Sequence, residues 1–260
     1  MYHTTGFTKG QITDLCALIV AEFGTFSKTR GRKRALGLFR SVQVALTYLR
    51  RNRVQDELAE FFDVSQPTIS RVISRVLPLV VDVLKGVAPT VDDLDPEVQL
   101  LVDGTLVPCW SWAGHPELFS GKHRTTGLNL QVAATLGGEL AWVSDPMPGS
   151  THDVKALRTS GLLDLPDGPQ HIGDKGYIGA GMITPIRKPP GGELHESHKG
   201  FNTQVNSIRA AIERAIAHLK TWRILHTDYR RPLDTFPETI TAVISLEFYR
   251  TRVSQFRGPG

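Results

Sequence analysis

Between Leu36 and Leu49 apolar residues recur at helical spacing (Leu38, Val42, Ala45, Leu46, Leu49), and VQDELAEFF from Val54 repeats the rhythm with Leu58, Phe61 and Phe62. Each stretch predicts a helix with one buried face. Asp63, Val64 and Ser65 then offer a turn and an N-cap, and Pro67 is tolerated in a first helical turn. Ile69, Val72, Ile73, Val76 and Leu77 continue as an inward stripe. The pattern predicts helix, tight turn, helix at about residues 54–77. Pro78 and the acidic stretch APTVDDLDPEV from Ala88 read as a linker. This divides the chain into a small helical domain, residues 1–90, and a larger domain, residues 97–260, with the boundary near Ala88 to Pro96.

Past the linker the period changes. QLLVDGT reads as a buried strand ending in a turn, LNLQVAATL and ELAWVSD read as strands, and Gly137 with Gly138 marks a hairpin. A helix is predicted at THDVKAL with Ser150 or Thr151 as its cap. HIGD follows as a strand, MITPIRK reads as another, and a polar loop leads to the helical stretch NSIRAAIERAIAHLKTW. The fold class is α/β (α+β) behind an all-α N-terminal part. A last helix around Ile240 to Val253 has two open destinations, the core or a dimer interface.

At 260 residues and 40% hydrophobic, the chain can bury a substantial core. No apolar run approaches the roughly 20 residues that span a bilayer, and MYHTTGFTKGQ lacks the order of a secretory signal, so a cytoplasmic protein with no membrane partner is expected. Cys16 and Cys109 are the only cysteines, and the nearest string to a zinc motif is HESH at His195 to His198. A disulfide framework and a structural zinc are therefore not expected.

The net charge is only +4, but nine Lys or Arg and no acid lie between Lys28 and Arg53. Such a block, which includes Arg30, Arg32, Lys33 and Arg34, suits a polyanion; it also suits a solvated linker and helix face. The second helix of the predicted pair turns Gln66, Thr68, Ser70, Arg71, Ser74 and Arg75 away from its apolar stripe. That face can meet phosphates and base edges, or simply water in a plain helical hairpin. With the basic block just upstream, double-stranded DNA is the expected partner.

Three carboxylates carry the candidate chemistry: Asp103 in QLLVD, Asp174 in HIGD and Glu213 in the helix AIERA. Hard cations such as Mg2+ prefer oxygen ligands, and two such ions can stabilise both oxygens of an in-line displacement at phosphorus. Singly, each acid has an ordinary explanation. Asp103 and Asp174 precede Gly-containing turns, and Glu213 shares its helix face with Arg209 and Lys220.

LLVDGT, GKHRTTGLNLQ, PGSTHD, GDKGYIG and IRAAIERAIAHLK follow one another behind a helix-turn-helix. In this combination the chain resembles DDE-superfamily transposases of the bacterial insertion-sequence type, close to the Harbinger-like branch. The resemblance runs from about Leu36 to the end of the Glu213 helix. It implies an RNase H-like catalytic domain and a metal-binding catalytic triad of Asp103, Asp174 and Glu213. It also implies Mg2+ or Mn2+ as cofactor, with two ions. Asp153 in PGSTHD competes for the second place. A capping role at a helix start explains it, whereas Asp174 closes a strand that lies beside the first in an RNase H-like sheet. Asp174 is therefore preferred, with His152 and Asp153 as accessory groups.

Lys122 and Arg124, in WSWAGHPELFSGKHR, are expected to hold DNA backbone, while Trp110 and Trp112 fit either base stacking or burial. Arg187, Lys188, Arg209, Arg214 and Lys220 fit a DNA path or ordinary solvated charge. The implied reaction is endonucleolytic cleavage at transposon terminal inverted repeats, then attack of the freed 3'-hydroxyl on target DNA. Pairing two ends implies a homodimer or higher assembly. Two other readings remain open: a domesticated or inactive transposase-derived DNA-binding protein, and a helix-turn-helix transcription regulator.

Overall fold

The computed structural model describes residues 1–24, 34–110, 114–164 and 168–257, with side chains to residue 252. Arg30, Arg32, Lys33 and Trp112 lie outside the described residues. The N-terminal helices are α1 (Tyr2–Thr5), α2 (Lys9–Phe23), α3 (Leu38–Arg51), α4 (Gln55–Phe62) and α5 (Gln66–Val83). Asp63 turns the chain from α4 into α5 at φ 53°, and the Val64 N–H closes the corner on the Ala59 carbonyl at 3.0 Å. Ser65 is the N-cap residue of α5, but its hydroxyl meets the Thr68 hydroxyl at 3.0 Å instead of capping the backbone.

Two details depart from the sequence pattern. Pro78 does not begin a linker: α5 continues through it to Val83. The ring removes one bond to the Ser74 carbonyl, and burial of Val76, Leu77 and Val80 on either side outweighs that loss. Phe62 is buried, whereas Phe61 is 68% exposed and does not belong to the inward stripe.

The chain divides into two compact units, Met1–Ala88 with Lys220–Gly260, and Pro89–Leu219. The second unit is built on a sheet of β1 (Leu100–Pro108), β2 (Phe119–Ser120), β3 (Thr125–Thr135), β4 (Leu140–Val143) and β5 (Met147–Pro148). It adds α6 (Asp153–Thr159) and α7 (Glu196–Leu219). β3 pairs antiparallel with β1 on one side and with β4 on the other. The hairpin from β3 to β4 turns at Gly138, φ 89°, whose N–H bonds the Thr135 carbonyl at 2.9 Å.

HIGD and MITPIRK, expected as strands, contribute single parallel bridges, Leu101 with Ile172 and Ile172 with Ile183. The chain turns away after one or two residues on each, so no ladder develops. These bridges extend the sheet beyond β1, giving three antiparallel strands followed by two short parallel crossings. This is the order of an RNase H-like sheet, the fold expected for this part of the chain. Leu100, Val102, Ala133, Trp142, Leu157, Leu162, Tyr177 and Ala180 form its buried cluster.

Residues from Lys220, including α8 (Phe236–Arg257), pack with the N-terminal helices. Trp222 and Phe7 meet with ring centroids 6.1 Å apart, and α8 lies along α5. Fully buried Trp222, Tyr229, Phe236 and Ile240 give this segment an apolar face that α3 and α5 cover. Burial of about 150–250 Å² per large aromatic drives the arrangement irrespective of sequence distance. The last helix therefore packs into a core, the first of its two expected destinations.

Candidate active site

Asp103 sits in the interior of β1, opposite Val132 of β3. The strand does not end at Asp103 and Gly104, as the sequence suggested, but continues to Pro108. Gly104 serves close approach instead: a Cβ there would lie 2.7 Å from Asp153 Oδ1 and 3.2 Å from Gln131 Nε2. Asp103 Oδ1 accepts from the Gly104 N–H at 2.8 Å, and Oδ2 accepts from Arg209 Nη2 of α7 at 2.9 Å. Burial raises the Asp103 pKa above the ordinary carboxylate range; Arg209 opposes the shift and the Asp174 charge adds to it.

Asp153 opens α6, yet makes no capping bond; His152 is the N-cap residue, not Ser150 or Thr151. Its carboxylate turns toward the sheet, where Oδ2 accepts from Lys122 Nζ at 2.6 Å and Oδ1 accepts from Asn129 Nδ2 at 3.2 Å. Asn129 also donates to the Thr151 carbonyl at 3.1 Å, which fixes the approach to α6. Behind it, Gln131 Nε2 donates to Asn129 Oδ1 at 2.9 Å, and buried Tyr177 donates to Gln131 Oε1 at 2.7 Å. A line of hydrogen bonds thus runs from buried Tyr177 to Asp153. Two amide side chains at alternate positions of LNLQ, on one face of an otherwise apolar strand, were the sequence signal for this line, and sequence reasoning passed over it.

Asp174 caps a short 3-10 turn, Lys175–Tyr177, and its Oδ1 accepts from the Gly176 N–H at 2.7 Å. The bridge between Leu101 and Ile172 brings it beside β1. Lys122, His152, Asp153, Asp174 and Arg187 line one cleft of about 530 Å³. Burial works against the charge of Lys122, but the Asp153 hydrogen bond and the charges of Asp153, Asp174 and Asp103 outweigh it and raise its pKa. Lys122 therefore belongs to the acidic cluster. Arg124 stands in the same turn at φ 54° and is exposed.

Glu213 is exposed on α7, one turn beyond Arg209, with no described bond to the other acids. Among the described residues no three His, Cys, Asp or Glu side chains are grouped to hold a metal ion. The donor chemistry of the aspartates nevertheless fits a hard divalent cation. All their ligating atoms are carboxylate oxygens, and the mutual effect of Asp103 and Asp174 is a repulsion that a cation relieves.

In the helical unit, Arg71, Ser74 and Arg75 are exposed on α5, while Gln66, Thr68 and Ser70 are half-buried. Arg71 Nε donates to the Pro67 carbonyl at 2.8 Å, which holds it along the helix start. Gln66 Nε2 donates to Gln55 Oε1 at 2.7 Å, joining the starts of α4 and α5. Arg34 is described and partly buried. Trp110 is 53% exposed, so it is not a core residue. No described helix is long and apolar enough to cross a membrane.

Comparison with known proteins agrees with this arrangement. Residues 34–86 match the family "Helix-turn-helix of DDE superfamily endonuclease", and residues 102–247 match "DDE superfamily endonuclease". The chain is 29% identical over 224 residues, 85% of its length and 83% of the relative's, to "Putative transposase for insertion sequence element IS112" of Streptomyces albus G. It is 25% identical over 213 residues, 78% of its length and 77% of the relative's, to "Probable transposase for insertion sequence element IS702" of Microchaete diplosiphon. No solved structure matches the chain. With a helix-turn-helix ahead of a sheet unit whose cleft is lined by Asp153 and Asp174, the chain belongs to the DDE superfamily of endonucleases, on the insertion-sequence transposase side.

Proposed function

We propose that this chain binds the terminal inverted repeats of its own element, cleaves them, and joins the freed 3'-hydroxyl to target DNA. The observation that carries the reading is that Asp153 and Asp174, from separate stretches of chain, line one cleft with Lys122 and Arg187, while Asp103 of β1 lies near enough to feel the charge of Asp174. Asp103, Asp174 and Glu213 are the proposed holders of Mg2+ or Mn2+, with two ions, and Glu213 is supplied by the helix that already presents Arg209 to Asp103. Bound divalent metal supplies electrostatic stabilisation of the attacking and leaving oxygens at phosphorus.

The remaining roles fall to the chain's own groups. Asp153 is a positioning residue that keeps Lys122 at the cleft, and His152 lines the same wall. Lys122 and Arg124 hold the backbone beside the cleaved bond. Gln66, Thr68, Arg71 and Arg75 of α5 meet base edges and flanking phosphates, and Arg30, Arg32, Lys33 and Arg34 add sequence-independent affinity. A homodimer or higher assembly pairs the two ends. The run of motifs from LLVDGT to IRAAIERAIAHLK supports reading the chain as close to the Harbinger-like branch.

One observation favours a second reading. Lys122 and Arg209 already balance Asp153 and Asp103 by direct ion pairs, as in a DNA-binding relative that has stopped cutting. Titrating Mg2+ or Mn2+ into the protein with a labelled duplex of the element's ends separates the two. Metal-dependent cleavage that Asp103→Ala abolishes supports the endonuclease, and tight binding without cleavage supports the silent relative.

A further inference from the structure

A second cleft, of about 560 Å³, lies entirely within the helical unit. It is lined by Gln66, Ser70 and Ser74 of α5, at one-turn intervals, by Arg230 and Arg231 from the loop before α8, and by Arg53. We propose that Arg230 and Arg231, from the far end of the sequence, complete the DNA-binding surface by holding duplex backbone phosphates beside α5. The proposal rests on the reading of this unit as a DNA-binding module.

The loop is fixed in place by anchors on either side. Tyr229 is fully buried, stacks on Phe236 at 4.1 Å, and bonds the Thr235 and Thr239 hydroxyls at 2.6 and 3.0 Å. Asn52, at φ 44° after α3, donates to Thr227 Oγ1 at 2.7 Å and to the Asp228 carbonyl at 3.2 Å. These contacts hold the backbone on both sides of the arginine pair, so little ordering entropy is lost when a ligand arrives.

The arginines themselves are tethered without being used up. Arg230 Nη2 donates to the Asn52 carbonyl at 2.7 Å, and Arg231 Nη2 donates to Ser74 Oγ at 3.0 Å. A guanidinium carries five N–H groups in a fixed fork, and each of these bonds occupies one. The acid lining the cleft is Asp56, against three arginines; Arg53 meets Glu57 at 3.4 Å across a pair more than half exposed on both sides. Such an exposed pair holds its cation weakly. Ser74 belongs to the same exposed face of α5 as Arg71 and Arg75, so the Arg231 bond makes the loop continuous with the face turned toward DNA. A positive wall adjoining a helix that reads base edges is suited to the phosphates flanking those bases.

The test is fluorescence anisotropy of a labelled random-sequence duplex with the full chain across a salt series. The variants are Arg230→Gln/Arg231→Gln, which keeps a donor for Asn52 and Ser74, and Arg230→Lys/Arg231→Lys. Neutralising two phosphate contacts lowers the slope of log affinity against log salt by about 1.8, and the lysine pair restores it. An unchanged slope in the glutamine variant, with wild-type circular dichroism, overturns the proposal while the DNA-binding reading stands. Absence of duplex binding by the wild-type chain overturns both.

Discussion

In the helical unit, buried polarity serves the core: Trp222 Nε1 donates to Glu247 Oε2 at 2.7 Å, and Glu247 Oε1 accepts from Arg250 at 2.6 Å, all three residues being buried. In the sheet unit, it leads outward from Tyr177 through Gln131 and Asn129 to Asp153, and ends at a cleft containing an exposed lysine. The first arrangement satisfies donors and acceptors for the sake of the core. The second uses the same chemistry to aim a carboxylate, because a chain of bonds anchored at a buried phenol restricts each member in turn. The contrast explains why the aromatic weight of the helical unit is structural while the polar strand face of the sheet unit is tied to its acids.

The largest expected effect falls on the helical unit. Trp222→Ala should lower stability by about 3–5 kcal/mol in urea unfolding, since it empties a buried site facing Phe7 and leaves Glu247 without its indole donor. A loss below about 1 kcal/mol would remove the self-contained core from the comparison. Next, Asp153→Asn should reduce metal-dependent cleavage by roughly 10–100-fold, the usual cost of losing a group that orients metal-site chemistry, with duplex affinity unchanged. An unaltered rate would mean that the line of bonds ends at Asp153 without consequence.

Tyr177→Phe should cost about 1–3 kcal/mol by depriving Gln131 Oε1 of its donor; a neutral result in thermal melts would sever the line at its origin. The smallest effect belongs to Phe61. Phe61→Ser should change stability by no more than about 0.5 kcal/mol, whereas Phe62→Ala should cost about 3 kcal/mol or more, which separates two adjacent rings that periodicity alone placed together.

Periodicity located the helices of the helix-turn-helix because α3, α4 and α5 each bury a stripe against near neighbours. It assigned Phe61 to that stripe because the spacing fitted, and only the packed helix pair shows which ring turns inward. HIGD and MITPIRK read as strands from their apolar residues, but HIGD meets β1, and MITPIRK meets HIGD, through a single bridge each, a tertiary outcome. At the site, Asp103 and Asp174 stood out in sequence. Asp153 read as a cap because its position at a helix start permits that role, and its true partners, Lys122 and Asn129, lie far away along the chain. Gly104 read as a turn because sequence does not show that a side chain from α6 needs the space above it.

The core of the helical unit draws on both ends of the chain, and this sets an order on synthesis. Phe7, α3 and α5 leave the ribosome early, but Trp222, Tyr229 and Phe236 follow only after the whole of the sheet unit has been made. A chain interrupted before Trp222 carries the helix-turn-helix without the residues that complete its interior and without Arg230 and Arg231 at its cleft. Completion of the helix-turn-helix unit's core is thereby deferred until the sheet unit has been made.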